Sequence, residues 1–254
     1  MTTQAQAKVR IGELKRTFFM PIPNLCPGCQ HGLAVHAVLD VLEEMDLDGS
    51  AIVCSGIGCA AGINVTTLDA VMGSHGGAPD TATAIKRLRP ENIVFTFQGD
   101  GDCVAIGGGA LIGALTRGEK ITIIMSNNTN YGTTGGQMAP TTLTDQITVT
   151  CPNGRNPDIE GHPVHTAELV ASFQGVSYSA RSAVNTPANY LRTRKYIKIA
   201  FQKQLDNKGL SFVEILTACP PNWHMSPVEC LDRIEKKVIA EFPLGEFKNV
   251  GYAG

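Results

Sequence analysis

Two apolar runs, NIVFTF (Asn92 to Phe97) and KITIIMS (Lys120 to Ser126), flank a stretch of small residues from Ala105 to Thr116. Runs without polar alternation predict strands buried on both faces, and the segment between them predicts the helix of a βαβ unit. Upstream, GLAVHAVLDVLEEM (Gly32 to Met45) repeats apolar positions at helical spacing, and AIVCS (Ala51 to Ser55) reads as a short buried strand. Downstream, a loop rich in Thr, Pro and Gly runs from about Thr133 to Pro163. A helix from His165, a strand near Val176, a long helix opened by Thr186 and Pro187, and the strand SFVEILTA follow. Ser226, Pro227 and Glu229 predict a capping box that opens a last helix reaching about Phe242. Strands alternating with helices predict an α/β fold: a mostly parallel sheet with helices on both faces and its ligands along the carboxyl edge.

Nothing in the composition divides the 254 residues, so a single domain over 1–254 is expected. The net charge of -2 and the lack of any Lys/Arg run argue against nucleic acid and anionic lipid as partners. The polar start MTTQAQAKVR and the absence of a run of bilayer length predict a cytoplasmic chain with no signal peptide or membrane span. Eight cysteines in such a chain point to metal or redox chemistry, because the cytosol keeps thiols reduced.

Gly99, Asp100, Gly101 and Asp102 fall directly after the first strand of the βαβ unit, where glycines admit a close backbone approach and a helix start attracts phosphate. Carboxylates there would repel phosphate unless a divalent cation bridges the two. Asn127 and Asn128 end the neighbouring strand, so an Asn side-chain oxygen and nearby carbonyls complete an oxygen set with Asp100 suited to magnesium. Either loop by itself is also explained by the turn preferences of Asp, Asn and Gly.

Cys26 and Cys29 form CPGC, Cys59 follows the Ala51 strand, and Cys219 ends SFVEILTA. On a parallel sheet these three loops share the edge that carries Asp100. By spacing alone CPGC also suits a zinc knuckle or a redox pair, and Cys54 competes with Cys59 for the third position. Cys54, Cys103, Cys151 and Cys230 read as buried apolar thiols. His31 and His36 read as capping or packing residues at a helix start, whereas His75, in GSHGGAP, is the histidine for an active site.

GDGD, the helix and NNTNYGTTGGQ together resemble the thiamine diphosphate motif of the 2-oxoacid:ferredoxin oxidoreductases. The resemblance extends through LCPGCQHG, SGIGCA, SHGGAPDTATAIK and ACPPNWHMSPVE, and so covers most of the chain as that family's β subunit. It implies magnesium held by Asp100, Asn128 and the carbonyl of Asn130. It further implies thiamine diphosphate contacts from Gly99, Gly101, Asp102, Tyr131, Thr133 and Thr134, and a 4Fe-4S cluster on Cys26, Cys29, Cys59 and Cys219. The chain departs from the pattern at Gly77, where relatives often have Arg, and at Gln30, where Gly is common. The implied reaction is oxidative decarboxylation of a 2-oxoacid with coenzyme A to acyl-CoA and CO2, with electrons passing through the cluster to ferredoxin. CPPNWHMSP resembles the branched-chain and 2-oxoglutarate types, which points to 2-oxoisovalerate, with 2-oxoglutarate or pyruvate as the other acids.

The activating Glu is expected from the pyrimidine-binding domain of a separate α subunit, and γ and ferredoxin-like δ subunits are the other implied partners. Two further readings stand beside this one: a non-oxidative thiamine diphosphate decarboxylase subunit, which leaves the four cysteines unexplained, and a zinc-stabilised α/β nucleotide-binding module.

Overall fold

The computed structural model describes residues 25–250. The single-domain expectation for 1–254 thus includes residues 1–24 and 251–254, which lie outside the described residues. The strands are β1 (Ala51–Ser55), β2 (Asp69–Met72), β3 (Ile93–Gly99), β4 (Thr122–Asn127), β5 (Val176–Ala183), β6 (Leu210–Leu216) and β7 (Gly245–Asn249). They form one sheet in the order β2-β1-β3-β4-β6-β5-β7, parallel throughout except for the antiparallel pair β5/β7.

The helices are α1 (His31–Glu44), α2 (Ala78–Leu88), α3 (Gly108–Arg117), α4 (Pro157–Glu160), α5 (Thr166–Ala171), α6 (Pro187–Leu205), α7 (Pro220–Trp223), α8 (Pro227–Arg233) and α9 (Ile239–Glu241). One apolar cluster packs α1 and α6 on the sheet through Val38, Leu42, Phe95, Ile124 and Phe201. A second packs α3 and α5 on the other face through Leu111, Leu115, Ile123, Val170 and Phe212. The central strands β3 and β4 are therefore covered on both sides, which is why they carry apolar residues at consecutive positions. Among the described residues no helix is long and apolar enough to cross a membrane.

Thr186 caps α6 as expected, accepting from the Asn189 amide. The capping box of α8 also forms: the Glu229 amide donates to Ser226 Oγ at 3.3 Å, and the Ser226 amide donates to Glu229 at 2.8 Å. The helix after β3 differs from its expected start at Ala105. It begins at once as a π-helical turn, Gly101–Ile106, and becomes α-helical only at Gly108. The wider turn lets the Gly107 amide reach back to the Asp102 carbonyl at 2.9 Å, while Gly76 packs against Gly107 with no room for a side chain. Thus the segment carrying His75 is drawn up to the end of β3.

Candidate functional site at the carboxyl edge

Chain order reverses between β1 and β3: β2 lies on one side of β1 and β3 on the other. The loops after these two strands splay apart at that point and leave a crevice, the usual ligand position in an open parallel sheet. A cavity of about 150 Å³ opens there, and its lining brings together His75, Gly99, Asp100, Gly101, Asp102, Asn128, Asn130, Tyr131, Thr133 and Thr134. A second cavity of about 350 Å³ is lined by Cys26, Cys29, Cys59 and Cys219. Cys59, Asn128, Gly132 and Thr133 border both, so the two cavities share a wall.

Asp100 follows directly on β3 and is buried. Burial pushes its carboxyl up to about 7, and nearby Glu214 adds to the rise; the Thr141 hydroxyl, which donates to Oδ2, and the turn amides work the other way. A carboxyl held near neutrality by burial regains its charge most readily beside a cation. Asn128 Oδ1 accepts from the Asn130 amide at 3.4 Å. Asn130 Oδ1 is buried with no hydrogen-bond partner, an unsatisfied oxygen in the cavity wall. Thr129, between them, has φ +60, and its amide donates to Asn127 Oδ1 at 2.9 Å, so the strand end turns sharply. This donor set of one carboxylate and neighbouring amide oxygens is of the hard kind that magnesium takes.

Gly101 and Asp102 also have partners within the chain. A Cβ on Gly101 would lie 2.2 Å from Tyr131 Cε1, so the glycine makes room for the tyrosine ring, whose hydroxyl donates to the Gly101 carbonyl at 3.3 Å. Asp102 accepts from Gln98 Nε2 at 2.6 Å, from the amides of Gly76 at 2.8 Å and Ile57 at 3.3 Å, and pairs with His75 Nδ1. Its carboxylate therefore ties β3 and two loops to the π turn, leaving His75 exposed at the cavity rim with Nε2 as the ring nitrogen opposite this bond. Thr133 and Thr134 are exposed at the mouth, and Thr134 pairs with Gln137 through Oγ1 at 2.5 Å.

The cysteines converge from the three expected loops. The Cys29 amide donates to the Cys26 carbonyl at 3.0 Å, closing the CPGC turn over Gly28, whose φ is +76. Burial pushes the Cys29 thiol up to about 12, with Cys59, Cys219 and Cys26 adding to the rise, and burial also raises Cys219. Cys54, the rival third position, points into the apolar core among Val94, Ile123 and Met125, and burial raises it to about 12. Among the described residues no three His, Cys, Asp or Glu side chains stand close enough to chelate a single metal ion.

Three contributions were not anticipated from the sequence. Gln30 is buried and doubly paired with Ala218: its amide donates to the Ala218 carbonyl at 3.3 Å, and its Oε1 accepts from the Ala218 amide at 3.1 Å. That pair staples CPGC to the loop of Cys219. His31 packs as expected, but at the site: its ring is buried in the wall of the cavity with Asp100, 3.6 Å from Cys29 Sγ, and burial lowers it to about 4. Its spacing from Cys29 was the available signal. Beneath the edge, Asn127 Nδ2 donates to Glu214 at 2.7 Å, Arg181 Nε pairs with Glu214 at 2.8 Å, and Arg181 Nη1 meets Glu168 at 2.9 Å. Arg181 also lies over the rings of Phe242 and Phe247.

This crevice on a parallel sheet, with hard oxygen donors at its floor, defines a thiamine diphosphate-binding domain. Residues 55–215 match the family model for the thiamine pyrophosphate enzymes' C-terminal TPP-binding domain. Among curated proteins, the ketoisovalerate oxidoreductase subunit VorA of Methanothermobacter thermautotrophicus is 37% identical over 89% of this chain and 48% of its own length. The 2-oxoglutarate synthase subunit KorB of Archaeoglobus fulgidus is 34% identical over 90% of this chain and 81% of its own. The chain belongs to the 2-oxoacid:ferredoxin oxidoreductase family, with its β subunits. It spans about half the length of the VorA relatives. The fold matches a 2-oxoglutarate:ferredoxin oxidoreductase from Magnetococcus marinus solved with 2-oxoglutarate, coenzyme A and succinyl-CoA, with a TM-score of 0.73 at 21% identity over 90% of this chain and 82% of that one.

Proposed function

We propose that the chain is the thiamine diphosphate- and cluster-binding β subunit of a multi-subunit 2-oxoacid:ferredoxin oxidoreductase. The observation that carries the proposal is the shared wall: a crevice lined by Asp100, Asn128 and Asn130 adjoins a cavity lined by four thiols. Asp100 and the oxygens of Asn128 and Asn130 would hold magnesium, and the buried, unpaired Asn130 Oδ1 is an oxygen that a cation would satisfy. Gly99, beside which a Cβ would meet nothing within 4 Å, leaves the crevice open for the diphosphate, with Thr133 and Thr134 at its mouth.

Cys26, Cys29, Cys59 and Cys219 surround a space rather than a point, which suits ligands of a polynuclear 4Fe-4S cluster. When bound, thiamine diphosphate would supply an electron sink for decarboxylating a 2-oxoacid, and a cluster held by the four cysteines would supply one-electron redox capacity. In this chain Asp102 fixes the tautomer and direction of His75, which presents its other ring nitrogen at the rim where a substrate carboxylate would enter. An α subunit supplies the activating Glu, coenzyme A and a 2-oxoacid are the substrates, and γ and δ subunits with ferredoxin continue the electron path.

Identity to VorA and the CPPNWHMSP segment favour 2-oxoisovalerate as the acid. Reconstituted complex assayed with coenzyme A and ferredoxin on 2-oxoisovalerate, 2-oxoglutarate, pyruvate and an arylpyruvate should give its highest kcat/KM with the first. A preference for pyruvate would overturn the substrate, and oxidation of any of the four by the chain alone would overturn the need for partners.

A further inference from the structure

Asn222 lies in α7, just after Cys219, and its side chain lines the cysteine cavity and meets Gly132, which borders both cavities. Its Nδ2 donates to the Gly132 carbonyl at 2.9 Å and reaches Cys219 Sγ at 3.4 Å. A Cβ on Gly136 would lie 3.1 Å from Asn222 Cβ, so the loop backbone closes tightly on this side chain. On the other side of the wall, Thr133 Oγ1 lies 3.0 Å from Cys59 Sγ. Two of the four thiols are therefore tied by hydrogen bonds to loop 128–136, whose first residues form the floor of the diphosphate crevice. An amide N–H this close to a sulfur stabilises negative charge on it. The same electrostatics apply to an electron added at a cluster: donors to its sulfurs favour the reduced form and raise the potential.

We propose that Asn222, together with Thr133, is a positioning residue that sets the reduction potential of a cluster on Cys26, Cys29, Cys59 and Cys219 and makes it depend on whether the diphosphate crevice is filled. This rests on the functional reading above. A ligand gripping Asn128 and Asn130 anchors the loop that carries Gly132, and Gly132 fixes the amide that faces Cys219. Coupling of this kind is reciprocal, so reduction of the cluster changes the affinity for thiamine diphosphate by the corresponding factor.

The test is an EPR-monitored potentiometric titration of the full chain purified without oxygen, in which dithionite delivers one electron per cluster. Iron is assayed first. Wild type, Asn222→Ala, Thr133→Val and Thr133→Ser are each titrated with and without thiamine diphosphate and magnesium. Asn222→Ala and Thr133→Val should have more negative potentials than wild type, and Thr133→Ser, which keeps the hydroxyl, should stay close to it. Adding thiamine diphosphate and magnesium should shift the wild-type potential, and Asn222→Ala should lose that shift. If Asn222→Ala fails to retain iron, the Thr133 variants and the wild-type shift decide. Equal potentials in all iron-containing forms would overturn this inference alone, whereas wild-type chain without iron would overturn the reading of the cysteine cavity itself.

Discussion

The diphosphate crevice takes its polar groups mainly from 99–102 and 128–134, two loops that leave hydrogen-bonded neighbours β3 and β4. The cysteine cavity takes its thiols from residues 26–29, 59 and 219, loops far apart in the chain. The first is therefore held by local chemistry: the Asn127 and Thr129 turn, the π turn at Asp102, and the Tyr131 ring over Gly101. The second is held by long-range ties, of which the Gln30 pair with Ala218 joins two ends of the chain. Adjacent sites can thus depend on unrelated parts of the sequence, and disruption of one need not destroy the other.

Crossed removal of ligands gives the largest contrast. Asp100→Ala should weaken magnesium and thiamine diphosphate binding by more than about 100-fold, since loss of a mere supporting partner already costs about 10- to 100-fold. Its iron content should be unchanged. Cys219→Ala should do the reverse, losing iron while calorimetry still detects thiamine diphosphate. If either variant loses both ligands, the sites are not separable.

Arg181→Met reaches the crevice from below. It leaves the buried carboxylate of Glu214 without its cation and should lower stability by about 3–5 kcal/mol in urea titration. Thiamine diphosphate affinity should fall with it, because Glu214 anchors Asn127. An unchanged unfolding midpoint would mean that the ion pair contributes little.

His31 offers a pH probe on the border of the two sites. Its folded pKa of about 4 lies below the ordinary 6.5, so the unfolded chain binds the extra proton. Stability from this group is complete above pH 6.5 and is lost as pH falls toward 4, by up to about 3 kcal/mol. His31→Leu should flatten the stability profile across that window; an identical slope in the variant would assign it to other groups.

The smallest effect is expected at the staple. Gln30→Ala removes one side-chain hydrogen bond and should cost about 1 kcal/mol, with faster loss of iron to a chelator and unaltered thiamine diphosphate binding. Chelation at the wild-type rate would show that the staple does not hold the cysteine loops together.

The legibility of the two sites in the sequence follows the same contrast. β3, α3, β4 and the loops between them form contiguous signals, so the sheet core and the positions of Asp100 and Asn128 could be read directly, whereas Asn130 came only through the resemblance, by its carbonyl, and its buried side-chain oxygen was not read. The cysteine set could be placed on one edge, but Cys54 and Cys59 sit close to the same strand end, and only packing separates them, with Cys54 in the apolar core. β2 escaped because its four residues are all exposed and show no burial pattern. β7 pairs antiparallel at an edge after a run of helical residues. Arg181 was hidden inside VSYSARSA, where a charged residue in a buried strand makes sense only once Glu214 and Glu168 are seen beside it. Gln30 had no local reason to matter, since its partner lies at Ala218.

The most direct measurement is the iron, acid-labile sulfide and zinc content of the full chain purified without oxygen, with its visible spectrum. About four iron and four sulfide per chain are expected, with a broad absorbance that bleaches on reduction. Zinc without iron, reproduced across anaerobic preparations, would contradict it and make the cysteine cavity a structural site.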